Sequence, residues 1–325
     1  MTRRQTILTL SLLAATPISF WLTLSLGSLT TETGALWSIL LGEDRGILNT
    51  VVIELRLPRA LSAFAVGGLL ALSGSLLQVL LRNPLADPYI LGISGGAALG
   101  ALGSLLLGVS GWWLNGSAFV GSLLAMLLVF GLVRRQGVTQ PTRLLLTGVV
   151  VAAGWGALIS LILALSPQRQ LPGMLYWLMG DLSYGKQPMA GLIVLALGTG
   201  IAWWLARPLN VLARGEQVTA SLGINPLRLH IMVYILASLA TASAVSLAGS
   251  IGFVGLIIPH ALRLLGATDH RILLPNAVLL GGNFLMLADT AARTVVAPLQ
   301  LPVGVLTALL GVPVFLYLLL RERRI

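Results

Sequence analysis

Asp289 and Arg293 stand four residues apart inside an apolar stretch of this 325-residue chain. Ionisable groups in such a setting are costly and mark pathways, relays or fixed pairs. An acid followed by a base at i,i+4 pairs within its own helix. Arg293 also lies close to the end of the stretch, where its aliphatic stem lets it reach the interface. A structural pair or an outer docking group is therefore favoured over a proton relay. The next candidates are Arg56 and Arg59, in Arg56-Leu-Pro-Arg59. Guanidinium groups bind carboxylates bidentately, so this pair reads equally as an interfacial anchor or as a contact for an acidic partner.

Other chemistries are excluded. Gly180-Asp-Leu-Ser-Tyr-Gly185-Lys186 imitates a phosphate-binding loop, but position 187 is Gln where a magnesium-holding Ser or Thr is needed. The chain therefore has no ATPase site of its own. It has no cysteine, which removes disulfides, thiolate metal sites and a thiol nucleophile. His230, His260 and His270 are too scattered for a metal cluster, and no acid–base cluster falls within the apolar segments. The net charge of +10 does not point to nucleic acid, because the basic residues fall in short gaps between apolar blocks rather than along a soluble face.

The elements that must position these residues are membrane helices. The hydrophobic fraction is 57%, the charged fraction 9% and the mean hydropathy +0.95, whereas soluble domains carry roughly 25% charged residues. A spanning helix needs about 20 apolar residues. Ten segments qualify, at roughly 6–28, 58–81, 91–108, 113–133, 143–166, 188–206, 229–250, 253–267, 273–296 and 303–320. The first is read as an uncleaved insertion signal. The third and eighth are short, interrupted by Gly or Pro, and suited to burial in protein. The whole chain, 1–325, forms one all-α transmembrane domain. With ten spans, fourteen basic residues fall on the side of the termini and five on the other, which predicts that both termini are cytoplasmic. Leu72-Ser-Gly-Ser75 resembles Leu247-Ala-Gly-Ser250, each ahead of a short segment. That is a weak sign of an inverted-repeat transporter.

Turns and loops supply the remaining candidates. Asn83-Pro-Leu-Ala-Asp87-Pro88 is a tight inner turn, and it reads either as a simple loop or as a gate at the mouth of a pathway. The inner loop 207–228 is long enough for short helices over 212–222, and Glu216, Ala220 and Gly223 suit a helix ended by glycine. The loops 29–57 and 167–187 lie outside. Gly92, Gly96 and Gly100 recur every four residues, a spacing that lets helices approach closely.

Taken together these segments resemble the membrane permease subunits of bacterial ABC importers for iron–siderophore complexes, haem and vitamin B12. The resemblance covers nearly the whole chain. It rests on Arg56-Leu-Pro-Arg59, Asn83–Pro88 followed by Leu91–Gly96, Tyr176–Gly180, Leu222-Gly223 and Gly252–His260. It continues through Thr268–Arg271, Leu273–Pro275, Asp289 with Arg293, and Leu301–Gly304.

The resemblance implies the type II importer permease fold in the bacterial inner membrane. It further implies a homodimer around one pathway, two ATPase subunits inside and one periplasmic binding protein outside. ATP and magnesium belong to the partner ATPase, and the chain itself carries no cofactor. Arg56, Arg59 and Arg293 match family positions that dock acidic residues of the binding protein, which resolves the open reading of the arginine pair towards docking. Charge reversal there is expected to weaken docking and leave assembly intact. Glu216, Ala220, Leu222 and Gly223 match the coupling helices, and Asn83, Leu85, Pro141 and Thr142 match the cytoplasmic gate. Pro141 replaces the small hydroxyl residue usual in the family. The competing class, an ion-coupled carrier, is disfavoured by the scarcity of acids within the spans.

Overall fold

Long apolar runs lacking charged residues satisfy their backbone polar groups within one segment only as helices. The computed structural model describes residues 3–27, 32–43, 46–134, 141–184 and 188–322. Arg45, Arg135, Lys186, Arg323 and Arg324, all used in the charge count, lie outside them, as does the side chain of Pro141. The described residues form fourteen α-helices and no strand. In chain order these are α1 (Arg3–Ser25), α2 (Thr33–Leu40), α3 (Ile47–Leu80), α4 (Ile93–Leu106), α5 (Trp112–Arg134), α6 (Pro141–Leu165) and α7 (Leu171–Met179). They continue as α8 (Pro188–Trp204), α9 (Ala206–Leu212), α10 (Glu216–Ser221), α11 (Pro226–Ala248), α12 (Val254–Leu264), α13 (His270–Thr294) and α14 (Val303–Glu322).

Each of the ten predicted segments falls on one of these helices. Six are long and apolar enough to cross a membrane, and α8 joins them if its 58° bend into α9 is counted as one span. The short members α4, α12 and α14 are the remaining three. The structure adds helices where the sequence reading expected loops. The loop 29–57 holds α2 and the first turns of α3, because Leu36, Ile39 and Val52 pack with Leu24 in a small apolar cluster. The loop 167–187 holds α7, whose Met174 and Trp177 are buried. Pro58 lies in the first turn of the α-helical part of α3, Leu57–Leu80. A π-helical stretch at Thr50–Arg56 precedes it, and this widening accommodates a residue that lacks an N–H and crowds the preceding turn.

Helix α3 is the axis of the bundle. Its apolar window is 89% buried, against 6% for α6. It packs on α8, α11, α12 and α13. The contacts are close because glycines face carbonyls: a Cβ on Gly74 would stand 1.8 Å from the Gly255 oxygen, and one on Gly67 would stand 2.2 Å from that of Gly281. Such notches allow backbones to touch. Ser73 seals the α3–α11 seam by donating to the Ala237 carbonyl at 2.8 Å. Gly96 and Gly100 likewise press α4 on α5, against the Gly121 and Ser117 carbonyls. Gly92 plays a different part: at φ 72° it forms the turn ahead of α4. The two matching tetrapeptides are not equivalent, since Leu72–Ser75 lies inside α3 whereas Leu247–Ser250 runs through the end of α11, with Gly249 at φ 68°.

Candidate functional site

One end of the helical bundle carries a charge cluster centred on a fully buried carboxylate. Asp289 on α13 receives Arg59 of α3 in a fork, Nε to Oδ2 at 3.0 Å and Nη2 to Oδ1 at 2.8 Å. Arg293, one turn along α13, donates its Nε to the same carboxylate at 3.1 Å. The i,i+4 pair seen in the sequence is thus present, but a second arginine from 230 residues away joins it. Arg293 is buried and turns back to the acid rather than outward. Arg59 also reaches Gln300 Oε1 at 3.2 Å and Asp181 Oδ1 at 3.5 Å. Arg56 takes another course. It is buried and donates to the Leu24 and Ser25 carbonyls at 2.7 and 3.3 Å, which ties α3 to the end of α1. All three arginines nevertheless line one cleft of about 490 Å³, with Glu54, Ser183 and Gln300. Asp181 and Gln300 carried no recognisable signal, because single polar residues in loops gain meaning only through what folds against them.

The opposite end of the bundle holds the other candidates. After α3 the chain reverses at Arg82, which adopts φ 50°. Asn83 Oδ1 then accepts the Leu85 N–H at 2.9 Å, fixing the turn. Leu85 is exposed. Asp87 caps the short 3-10 turn Pro88–Leu91 by accepting from the Tyr89 N–H at 2.8 Å. Burial pushes the Asp87 carboxyl up to about 6, against the opposing pull of that N–H. Tyr89 extends the turn into a clasp: its hydroxyl donates to the Ile251 carbonyl at 3.0 Å and accepts the Ile251 N–H at 2.9 Å. Pro141 and Thr142 begin α6, with Thr142 exposed. The turn and α6 meet at Gly148, where a Cβ would stand 2.2 Å from the Ile90 carbonyl. No hydrogen bond joins Thr142 to Asn83 or Leu85 among the described residues.

The connection between α8 and α11 forms α9 and α10, set apart by Gly215 at φ 121°. Only Thr219 of α10 is buried, its hydroxyl donating to the Gly215 carbonyl at 2.8 Å. Gly223, at φ 78°, ends the element, and Asn225 caps α11 by accepting the Arg228 N–H at 3.1 Å. Ala220, Leu222 and Gly223 face outward. Glu216 lies 3.9 Å from His230 Nε2. With Ala220, Gly223 and Leu227 these two border an open cleft of about 500 Å³. The phosphate-loop imitation resolves as structure: Gly180 ends α7 at φ 78°, and its carbonyl accepts from Gly304 at 3.2 Å. Its Lys186 lies outside the described residues. No cluster of three or more His, Cys, Asp or Glu able to hold a metal occurs among the described residues.

The sequence profile of the FecCD transport family matches residues 15–321. The chain belongs to the FecCD transport family. FecCD members are ABC permeases of the cytoplasmic membrane, in which ATP hydrolysis sits on a separate subunit and the permease binds no cofactor. They work with an ATPase and a substrate-binding protein. The vitamin B12 import permease BtuC of Salmonella paratyphi A is 40% identical over 278 residues, covering 84% of each chain. The cobalamin import permease BtuC of Halobacterium salinarum is 44% identical over 280 residues, 85% of this chain and 75% of that one. The uncharacterised ABC permease YvrB of Bacillus subtilis is 41% identical over 293 residues, 87% and 82% of the two. A solved structure, described as an inward-facing conformation of an ABC transporter assigned to the metal-chelate type, superposes with a TM-score of 0.85. It is 31% identical and covers 97% of this chain and 99% of its own. PsaBC from Streptococcus pneumoniae shares the fold, with a TM-score of 0.57 at 18% identity over 83% of this chain and 93% of its own.

Proposed function

We propose that two copies of this FecCD permease enclose one import pathway in a bacterial cytoplasmic membrane, served by two ATPase subunits and one periplasmic binding protein. The cargo is a metal chelate of the vitamin B12, iron–siderophore or haem class. The observation that carries this reading is polar. Arg56, Arg59 and Arg293 line one cleft around buried Asp289 at one end of the described helices, and the exposed short helix α10 lies at the other. The ten helical segments cross the bilayer with both termini inside. Exposed Trp112 and Trp113 at the start of α5 and Trp203 and Trp204 at the end of α8 would sit at opposite membrane interfaces, where indoles concentrate.

In this scheme acidic groups of the binding protein meet the outer cleft. Arg59 is reached first, because its Nη1 bonds only the exposed Gln300 amide, while Arg56 and Arg293 back it from within. On the inner side Leu222 and Ala220 offer the ATPase an apolar contact beside Glu216. Motion transmitted there re-orients the helices around Asn83, Leu85, Pro141 and Thr142. An ion-coupled carrier would need an acid free to titrate within the spans, whereas Asp289 is clamped by two guanidinium groups.

Reconstitution tests the scheme. Proteoliposomes holding permease, ATPase and binding protein should take up vitamin B12, a ferric siderophore or haem with ATP, and not with an ion gradient alone. Uptake on the gradient alone would refute it. Arg59→Gln should weaken binding-protein affinity by roughly tenfold or more, the scale of one charge-assisted bond; unchanged affinity would remove Arg59 from docking.

A further inference from the structure

The inner end contains a second space that the transport reading leaves unused. It is a cavity of about 440 Å³ bordered by Gln78, Arg82, Asn83, Arg263, Thr268 and His270. Arg263 of α12 is half-buried and bonds the Gln78 side-chain oxygen, an amide rather than a carboxylate. Gln78 is itself fixed, donating to the Leu256 carbonyl at 3.2 Å. Among the described residues no carboxylate pairs with Arg263 or Arg82. Asp269 is close in sequence but occupied, held by Arg271 at 2.7 Å and by the Asn210 side-chain amide at 2.7 Å. His270 is buried, and its Nδ1 meets Asn210 Oδ1 at 2.6 Å. That oxygen is an acceptor, so Nδ1 donates, and in the neutral ring Nε2 is left as an acceptor. Nε2 is buried without a partner.

Two demands therefore coexist in one space. A half-buried guanidinium group with no carboxylate partner favours an anion. An unpartnered imidazole nitrogen calls for a donor. A carboxylate or sulfate meets only the first. A phosphate that carries a hydroxyl meets both, its charged oxygens matching the guanidinium fork and its O–H reaching the histidine. We infer that this cavity binds a hydroxyl-bearing phosphate, which joins the Arg82–Asn83 turn to α12 and α13 at the inner mouth. Two sources share that chemistry: hydrogen phosphate in solution, through its own P–OH, and the headgroup of phosphatidylglycerol, whose diester phosphate carries the charge and whose glycerol supplies the hydroxyl.

The test uses the full chain in nanodiscs, with thermal unfolding as the readout. In neutral phosphatidylcholine discs, inorganic phosphate should raise the midpoint relative to chloride at equal ionic strength, and sulfate should not. At ten times its Kd the ligand multiplies the folding constant by about eleven. If the headgroup is the resident, discs containing phosphatidylglycerol show that rise without added phosphate. If free phosphate is, they still need it. Either result supports the site. Arg263→Gln should abolish the response, and Arg271→Gln, an exposed arginine bound to Asp269, should keep it. Should Arg263→Gln fail to fold, Arg82→Gln carries the test, because that side chain is exposed and should weaken the response severalfold. The proposal fails if neither source stabilises the wild type. It also fails if sulfate matches phosphate, or if the cavity arginine variants respond as the wild type does.

Discussion

Replacing Asp289 by Asn removes the carboxylate that two guanidinium groups share. Arg59 Nη2 stands 2.8 Å and Arg293 Nε 3.1 Å from its oxygens, and the acid is fully buried. At an effective dielectric of about 20, unit charges 4 Å apart attract by about 4 kcal/mol, so two pairs amount to roughly 8 kcal/mol gross. The variant no longer desolvates an acid, which offsets part of that loss. Breaking a buried pair by removing one partner costs about 3–5 kcal/mol net. Asn keeps an acceptor oxygen for Arg59, so the expectation is about 3 kcal/mol, roughly a hundredfold or more in the folding constant. The decisive comparison is the double variant with Arg293→Gln. Removing the surplus cation should recover at least about 1 kcal/mol relative to the sum of the single changes. Denaturant titration of purified protein in bicelles measures all three. A single variant within about 0.5 kcal/mol of wild type, or strictly additive changes, would refute the account of Asp289 as the shared counterion. The same geometry revises the charge-reversal experiment suggested by the sequence. A Glu at 59 or 293 would confront Asp289, and one at 56 would confront the carbonyls of Leu24 and Ser25, so assembly would not be spared.

Other outcomes follow from the turn after α3 and the packing. Tyr89→Phe strips partners from both polar groups of buried Ile251 and should cost about 1–3 kcal/mol, with faster amide exchange confined to residues 249–253. Gly74→Ala drives a methyl into the Gly255 carbonyl and should abolish folded yield, while Gly103→Ala, with open space around it, should leave the unfolding midpoint within a degree or two of wild type. Asp87 has a folded pKa of about 6 against 3.8 in the free group, so the fold favours the protonated form. Its contribution to stability should fall as pH rises from about 4 to about 6 and then level off. Asp87→Asn, which keeps the cap, should flatten that slope in unfolding titrations; an unchanged slope would count against the burial argument.

How much of this was legible depends on the range of the interaction. The ten helical segments announce themselves, because apolar runs of the right length need nothing beyond themselves to be helical. Asp289 with Arg293 was legible for the same reason, being four residues apart on one helix. The third member, Arg59, was flagged as a charge but its partner was not, since no local pattern links positions 59 and 289. The Tyr89 clasp on Ile251 and the Arg263 contact with Gln78 escaped notice for the same reason. Helices α2 and α7 were missed because they are short and owe their form to tertiary burial of Leu36, Ile39 and Trp177 rather than to a long apolar run. Arg56 shows the converse: its motif stood out in the sequence, yet its guanidinium serves backbone carbonyls of the neighbouring helix.

The glycine notches along α3 have a mechanical consequence. A carbonyl seated where a side chain would stand acts as a detent, because sliding one helix along the other by a single residue brings a Cβ onto that oxygen. Helices α3, α12 and α13 are therefore keyed together like splined shafts, and their relative translation is blocked. Changes in access must take place along seams without such keys. The largely uncovered α6 carries one such notch, Gly148 against the Ile90 carbonyl, so its packing permits a tilt about that point more readily than a slide past it.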